Sequence, residues 1–285
     1  MVRIIGILVG LFFTVSVLWA FATGAYTAAT EGLGEVTAEK VFHEKPRELH
    51  LASDGLFGHW DRQQLQRGYQ VYKEVCSACH SLRQVAIRDL EQLGYSEAQV
   101  KAEAAAWNVP GIDPVTGEAT TRPGAPTDYF PSPYPNDVAA RAANNNAIPP
   151  DLSLMTKARH EGSAYVYSLL TGYREPPAEL LEQFPDAAPG VGLYYNPYFA
   201  NLNLAMAPPL TAEGQVTYAE GNPAPTVDQM AQDVAAFLTW TAEPTLPKRK
   251  QTGWPALLFV LFATVLAYLA KKQLWAPVTP KRRKD

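Results

Sequence analysis

Cysteine is scarce in this sequence: its 285 residues contain two, Cys76 and Cys79. A structural zinc site usually takes four Cys or His ligands, and no further cysteine exists to complete one. The four histidines other than His80 contain no pair with the H-x3–5-H spacing of zinc sites. Zinc is therefore the weakest of three explanations for the stretch EVCSACH, residues 74–80.

The two thiols, followed directly by His80, fit two other kinds of site. A redox dithiol opens a helix in a βαβ unit, where the helix N-terminus lowers the thiol pKa. Here the motif closes a predicted helix, and no neighbouring strands are evident. The pattern Cys-x-x-Cys-His is typical of c-type haem attachment. This third interpretation, one covalently bound haem c, uses all three residues, with both thiols on the porphyrin and the His80 imidazole on the iron.

Methionine is also scarce, and this limits the candidates for a second axial ligand of such an iron. Of four methionines, Met1 is the start and Met230 falls on the apolar face of a predicted helix. The role of Met155 is undetermined, and His160 is an alternative ligand. Met206 precedes two prolines in an aromatic-rich loop, which makes it the favoured ligand; His/Met ligation raises the potential of a haem.

Basic residues are few in the middle of the chain. Residues 26–247 contain 14 Lys and Arg against 27 Asp and Glu, a formal charge of −13, whereas the whole chain carries −4. Nucleic-acid binders present basic surfaces, so nucleic acid is not expected as a partner. An acidic surface attracts basic partners over long range, and salt weakens that attraction.

Two uncharged apolar stretches, residues 4–22 and 254–270, are each long enough to cross a bilayer. The first is followed by a small-residue Thr-Gly-Ala, so residues 1–25 are either an export signal or an uncleaved N-terminal anchor. The second predicts a transmembrane helix over 252–271.

The charges that flank the second stretch predict its orientation. Three basic residues precede it at 248–250, and six follow it between Lys271 and Lys284. Because basic residues favour the cytoplasmic side, residues 272–285 are predicted as a cytoplasmic tail and 26–247 as an extracytoplasmic domain.

Helical patterns and turn-rich stretches alternate along this domain. The fold class is therefore mainly α, with long irregular loops. Residues 110–136 are predicted as turn and extended loop, because their prolines exclude a continuous helix or central strand. A loop of this length needs something to wrap around, such as a bulky cofactor. Apolar spacing and N-capping residues predict helices after Asp61, Ser96 and Thr226, and over 162–173.

Seven segments of the chain resemble the cytochrome c1 family, the haem-bearing, membrane-anchored subunits of the quinol–cytochrome c oxidoreductase (bc1) complex. The resemblance covers roughly residues 46–285, and several segments are specific to this family. The segments are RGYQVYKEVCSACHS (67–81), DYFPSPYPN (128–136), ARAANNNAIPPDLS (140–153), ARHEGSAYVYSLLTGY (158–173), GLYYNPYF (192–199), MAPPL (206–210) and DVAAFLTWTAEP (233–244).

The resemblance implies a role for individual residues. Cys76 and Cys79 would hold the haem through thioethers, with His80 and Met206 as the axial iron ligands. Arg159 and Tyr165 match positions that contact the haem propionates, for which a guanidinium is suited. Asn144, Pro149 and Pro150 match the wall of the haem pocket. Gly68 matches the close crossing of the first and last helices, with Phe237 or Leu238 facing it.

The resemblance also implies fold, function and location. The domain would have a cytochrome c-type fold. It would carry electrons from the Rieske iron–sulfur protein to a c-type cytochrome, as a subunit of a dimeric enzyme complex that contains cytochrome b. It would lie on the periplasmic side of a bacterial inner membrane. Some bacterial relatives close a loop with an extra cysteine pair; no cysteines remain for that here.

Two rival functions stay open on the sequence alone. A haem enzyme would need a vacant sixth position on the iron. A c-type subunit of another membrane enzyme, such as a terminal oxidase or nitric oxide reductase, would associate with different partners.

Overall fold

The computed structural model describes residues 2–278 except Glu31, Leu33 and Glu35. Half of the predicted basic tail, residues 279–285 with Lys281–Lys284, lies outside these residues. The helices among the described residues are α1 (Val2–Thr30), α2 (Ala38–Phe42), α3 (Arg62–Glu74), α4 (Glu97–Ala105), α5 (Asp137–Ala143), α6 (Met155–Ala158), α7 (Gly162–Thr171), α8 (Ala178–Gln183), α9 (Val227–Ala242) and α10 (Leu246–Trp275). The strands are β1 (Asn108–Ile112), β2 (Ala119–Pro123), β3 (Tyr194–Tyr195) and β4 (Asn203–Leu204).

Helices α1 and α10 are long, apolar and unburied. Their most apolar windows have mean hydropathies of 2.5 and 2.0, and neither window buries a residue within the protein. At 1.5 Å per residue, either helix exceeds the roughly 30 Å of a hydrocarbon core. The predicted apolar stretches 4–22 and 254–270 fall inside them, which confirms two hydrophobic helices at the two ends of the chain.

Three helices of the head, the name used here for residues 26–247, begin at the predicted capping residues. The Asp61 side chain accepts a hydrogen bond from Gln64 N, and Ser96 and Gln99 form a reciprocal capping box at α4. At α9, the Thr226 side chain accepts a hydrogen bond from Gln229 N at 3.0 Å. Short polar side chains satisfy the free N–H groups of a first helical turn, so these three helix starts were readable from the sequence.

Helices α3 and α9 cross at the centre of the core, as Gly68 predicted. A Cβ added at Gly68 would lie 2.0 Å from the Asp233 carbonyl oxygen and 2.7 Å from Phe237 Cβ. Phe237 therefore faces the glycine, whereas Leu238 lines the cavity described below. Beside the crossing, the buried Arg67 guanidinium forms a bidentate ion pair with Asp233, with N–O distances of 2.9 and 3.0 Å. This pair fixes the register of the two helices.

Residues 110–136 contain neither a continuous helix nor a central strand, as predicted, but two parts of the prediction need correction. Residues 108–123 form an antiparallel hairpin, in which Asn108 pairs with Pro123 and Ile112 with Ala119. The following segment packs into the protein core rather than around a cofactor: Phe130 is fully buried and contacts the Trp107 ring edge-on, with ring centroids 5.3 Å apart. Prolines at strand positions hid the hairpin, because proline normally disfavours strands.

Candidate functional site

A cavity of about 700 Å³ lies between the end of α3, helices α7 and α9, and two loops, 143–155 and 204–209. Apart from a few polar groups its wall is aliphatic and aromatic. All eight residues predicted to form the site line it, although they come from four separate stretches of the chain: Cys76, Cys79, His80, Asn144, Pro150, Arg159, Tyr165 and Met206.

The Cys-x-x-Cys-His motif lies at the C-terminal end of α3, where the chain forms a tighter helical turn. A short 3₁₀ turn, Cys76–Ala78, follows the helix, and the Cys76 carbonyl accepts hydrogen bonds from Cys79 N at 3.1 Å and His80 N at 2.8 Å. The motif therefore closes a helix, as predicted. The turn brings both thiols and the imidazole to the same cavity wall.

The His80 ring is oriented by the backbone of a distant loop. Its Nδ1 lies 2.8 Å from the Pro150 carbonyl oxygen; because a carbonyl can only accept, Nδ1 carries the proton and donates. The Nε2 lone pair is then available to a metal ion, the arrangement that metal-ligating histidines use. Burial lowers the His80 pKa, against opposing contributions from Pro150 and Asp151. A neutral imidazole is the form that binds metal.

Asp151 holds the loop that supplies this carbonyl. One carboxylate oxygen accepts from Ser81 Oγ at 2.7 Å and Arg83 N at 2.8 Å; the other accepts from Ser153 N at 3.0 Å. Burial would raise the Asp151 pKa, but these donors together lower it. Sequence analysis missed this residue, because two of its partners, Ser81 and Arg83, lie 70 and 68 positions away along the chain.

Met206 lies in another segment of the cavity wall, residues 204–209, and its backbone is also held by a hydrogen bond. The Tyr173 hydroxyl donates to the Met206 carbonyl oxygen at 3.0 Å, and burial raises the Tyr173 pKa, which keeps the hydroxyl protonated. Met155 lines the same cavity. The cavity thus contains two thioether sulfurs, and only Met206 stands in a loop with a fixed carbonyl and two following prolines.

The predicted propionate contacts lie together on the cavity wall. Arg159 is exposed on its outer side, and Tyr165 is half-buried. Burial raises the Tyr165 pKa, and the nearby Arg159 charge opposes that rise. A guanidinium at the rim of an apolar cavity is placed to pair with a carboxylate.

The Asn144–Pro150 loop forms another part of the wall. Asn144 donates to the Ala140 carbonyl oxygen at 2.7 Å, at the end of α5, so its amide serves the loop rather than the cavity interior. Asn145 and Asn146 have φ values of 49° and 62°, which asparagine tolerates better than most residues. Pro149 and Pro150 both line the cavity.

The structure argues against the other two explanations of the thiol pair, a zinc site and a redox dithiol. Among the described residues, no group of three or more His, Cys, Asp or Glu side chains could hold a metal ion, which leaves zinc without ligands. Burial, with a smaller contribution from Cys79, raises the pKa of the Cys76 thiol to about 12. A redox dithiol needs a lowered pKa, so this environment is opposed to redox exchange.

Several apolar lining residues were not predicted as part of the site. Helices α7 and α9 contribute Leu169, Leu170, Val234 and Leu238 to the wall. The apolar periodicity of α9 marked one of its faces for burial, but periodicity does not distinguish a face that meets protein from one that meets a cofactor.

Comparison with known proteins gives the family. The Cytochrome C1 family model matches residues 51–278. Cytochrome c1 of Rhodospirillum rubrum is 46% identical over 233 residues, which cover 79% of this chain and 85% of that protein. This chain belongs to the cytochrome c1 family.

Two further relatives support the assignment of this chain to the cytochrome c1 family. A mitochondrial cytochrome c1 heme protein of Solanum tuberosum is 43% identical over 228 residues, 80% of this chain and 84% of that one. Cytochrome b/c1 of Bradyrhizobium diazoefficiens is 44% identical over 248 residues, 82% of this chain but 36% of that longer protein. Members of the cytochrome c1 family bind haem c and are electron-transfer subunits of the bc1 complex, an oxidoreductase that contains cytochrome b.

The cavity of this chain fits such a group. It offers two thiols, an imidazole with its Nε2 available, thioether sulfur and a rim guanidinium. Its volume lies within the ~300–1,000 Å³ of ordinary cofactor and ligand pockets.

Proposed function

We propose that this chain binds one haem c through thioethers at Cys76 and Cys79, with His80 and Met206 as axial ligands. It carries electrons from the Rieske iron–sulfur protein to a c-type cytochrome. The observation that carries the proposal is the His80 ring: its Nδ1 is committed to the Pro150 carbonyl, in a cavity that both thiols and Met206 share. Haem c supplies one-electron chemistry at its iron.

The residues of the cavity position and shield the cofactor. With His80 and Met206 both holding the iron, no position would remain for a substrate, and the chain would act as a carrier. Arg159 and Tyr165 would neutralise and hydrogen-bond a propionate at the rim, while Asn144 and Pro150 would complete the wall. The aliphatic lining excludes water, and a less polar surrounding favours the less charged, reduced iron.

The chain is arranged across a bacterial inner membrane in this proposal. Residues 26–247 form a periplasmic haem domain, 252–271 span the membrane, and 272–285 form a cytoplasmic tail. Residues 1–25 act as a signal or a second anchor. The excess of basic residues after the span supports this orientation. The chain assembles with cytochrome b and the Rieske protein in a dimeric complex.

Substitution of the two cavity methionines tests the ligand assignment. Met206→Leu should leave the haem attached, lower its midpoint potential sharply and allow the reduced haem to bind carbon monoxide. Met155→Leu is the matched control, because it changes the other cavity thioether in the same way. Potentiometry and carbon monoxide difference spectra measure both effects. A Met206→Leu protein with unchanged potential and no carbon monoxide binding contradicts the assignment.

Purification from detergent-solubilised membranes tests the electron path. The parent chain should elute with a b-type haem protein and an iron–sulfur protein, and added quinol should reduce its c-type haem only when both are present. Added c-type cytochrome should then reoxidise it. Elution with a terminal oxidase or a nitric oxide reductase instead would contradict the proposed partners.

A further inference from the structure

A short loop, residues 51–60, presents two adjacent apolar side chains to the outside of the head. Leu56 and Phe57 at its tip are 54% and 83% exposed. Burial of side chains of this size normally stabilises a folded protein, so their exposure in the isolated chain leaves that stabilisation unused. The place where the loop is attached to the rest of the protein indicates what covers these two side chains.

The loop has a defined conformation. His59 N donates to the Ala52 carbonyl at 2.9 Å and closes its base, and Leu51 N donates to the Asp54 carboxylate at 2.8 Å. Gly58 packs so closely that a Cβ there would lie 2.1 Å from the Ser53 carbonyl oxygen. The tip is therefore held outward by its own backbone.

Two contacts attach this loop to the start of α10. Trp60 Nε1 donates to the Pro244 carbonyl at 3.0 Å, just before the helix begins. Lys250 Nζ donates to the Ser53 and Gly55 carbonyls at 2.9 and 2.7 Å. Lys250 lies more than one helical turn beyond Pro244 towards the apolar stretch, which starts at Trp254. The two attachments therefore follow one another along the chain, and the second lies closer to the apolar stretch of α10.

We propose that Leu56 and Phe57 insert into the interfacial layer of the bilayer, beside the point where α10 enters it. The tip directly follows Gly55, the loop residue whose carbonyl accepts from Lys250, just before the apolar stretch of α10 begins at Trp254. Apolar and aromatic side chains such as Phe57 and Trp254 suit this level of a membrane. Lys248 lies at the same level and meets the phosphates of anionic lipids, whereas Arg249 and Lys250 have partners within the protein. The head is then held to the membrane at two points, the helix and the loop.

Nitroxide labelling of the tip tests this surface. The haem-loaded full chain bearing Phe57→Cys, or Leu56→Cys as a second variant, is labelled at the new thiol and placed in phosphatidylcholine–phosphatidylglycerol vesicles or in the purified complex. Power-saturation spectroscopy then compares collisions with oxygen, which concentrates in lipid, and with a water-soluble nickel chelate. Val115→Cys is the matched control, because Val115 is 90% exposed at the turn between β1 and β2.

The oxygen-to-nickel ratio should be several-fold higher at position 57 than at position 115. Equal ratios would place the tip in water, and low collision with both reagents in the complex would place a protein partner over it; either result overturns the proposal. The unsubstituted chain gives the blank. Label uptake by that chain would count against the thioether bonds, whereas the signal left after subtracting it still reports on the loop.

Discussion

Two backbone carbonyls, those of Pro150 and Met206, each accept a hydrogen bond from a side chain of the site: His80 Nδ1 at 2.8 Å and the Tyr173 hydroxyl at 3.0 Å. The first fixes the tautomer of His80, and the second fixes the backbone that carries Met206; these two are the proposed iron ligands. Asp151 secures the loop behind the first contact. At the residue scale, the site is therefore ordered by polar groups that are not themselves proposed as ligands.

Tyr173→Phe removes the hydroxyl and leaves the Met206 carbonyl without this donor. A lost hydrogen bond of this kind costs about 1 kcal/mol, and here the loss falls on the loop that positions the sulfur. The midpoint potential should fall and the sulfur-to-iron absorption band should weaken, as measured by potentiometry and visible spectroscopy.

Tyr167→Phe is the matched control for this prediction. It removes a hydroxyl hydrogen bond to Asp228 at 2.5 Å, which does not involve the loop that carries Met206. This variant should lose stability without a change in potential. Equal shifts in potential for both variants would remove Tyr173 from its positioning role.

At the scale of elements, the crossing of α3 and α9 sets the geometry of the cavity. Helix α3 delivers the cysteines and the histidine at its C-terminal end, while α9 places Val234 and Leu238 in the wall. Because the buried pair Arg67–Asp233 and the Gly68 contact lock these helices together, a shift at the crossing would move both walls of the cavity.

Gly68→Ala tests this crossing. The added Cβ would lie 2.0 Å from a backbone oxygen of Asp233, which cannot move aside as a flexible side chain could. Overpacking of this kind costs about 1–3 kcal/mol, which exceeds the ~1 kcal/mol that alanine gains over glycine in a helix. Thermal unfolding of the head should therefore occur at a lower temperature.

Gly253→Ala in α10 is the control for the effect of alanine itself. Nothing lies within 4 Å of a Cβ at that position, so this variant should keep or slightly raise the stability of the head. An unfolding temperature for Gly68→Ala that equals the parent's would contradict the close crossing.

What could be predicted from sequence depended on whether the signal was local. Helix caps such as Asp61 and Ser96, and the Cys-x-x-Cys-His motif, are written in consecutive residues. The Tyr173–Met206 and Ser81–Asp151 bonds join residues 33 and 70 positions apart, and no local pattern marks them. The β1–β2 hairpin was missed for a different reason: Pro110 and Pro123 contradict strand propensity, and pairing at the edge of the fold overrides it.

At the scale of the whole molecule, charge and membrane attachment are segregated. The stretch 26–247 carries a formal charge of −13, whereas basic residues flank the apolar stretch 254–270 on both sides. In the proposed arrangement, the basic residues would meet lipid headgroups and the acidic head would face soluble partners. This separation favours the approach of a basic electron acceptor to the head.

Electron transfer from this chain to a basic c-type cytochrome should slow as ionic strength rises. Salt at about 0.1 M screens charges beyond roughly 10 Å, which removes long-range attraction. Stopped-flow mixing at increasing salt measures the bimolecular rate constant, and oxidation by an uncharged small molecule provides the control. A rate constant that does not change with salt would contradict steering by the acidic head.

The covalent attachment of haem to Cys76 and Cys79 is the central claim, and mass spectrometry of one peptide tests it most directly. Trypsin cleaves after Lys73 and Arg83, so residues 74–83 form a single fragment that contains both thiols and His80. From the denatured parent protein this fragment should carry the added mass of one haem, and a Cys76→Ala/Cys79→Ala protein should yield it without that addition. Recovery of the parent fragment at its unmodified mass would contradict the account.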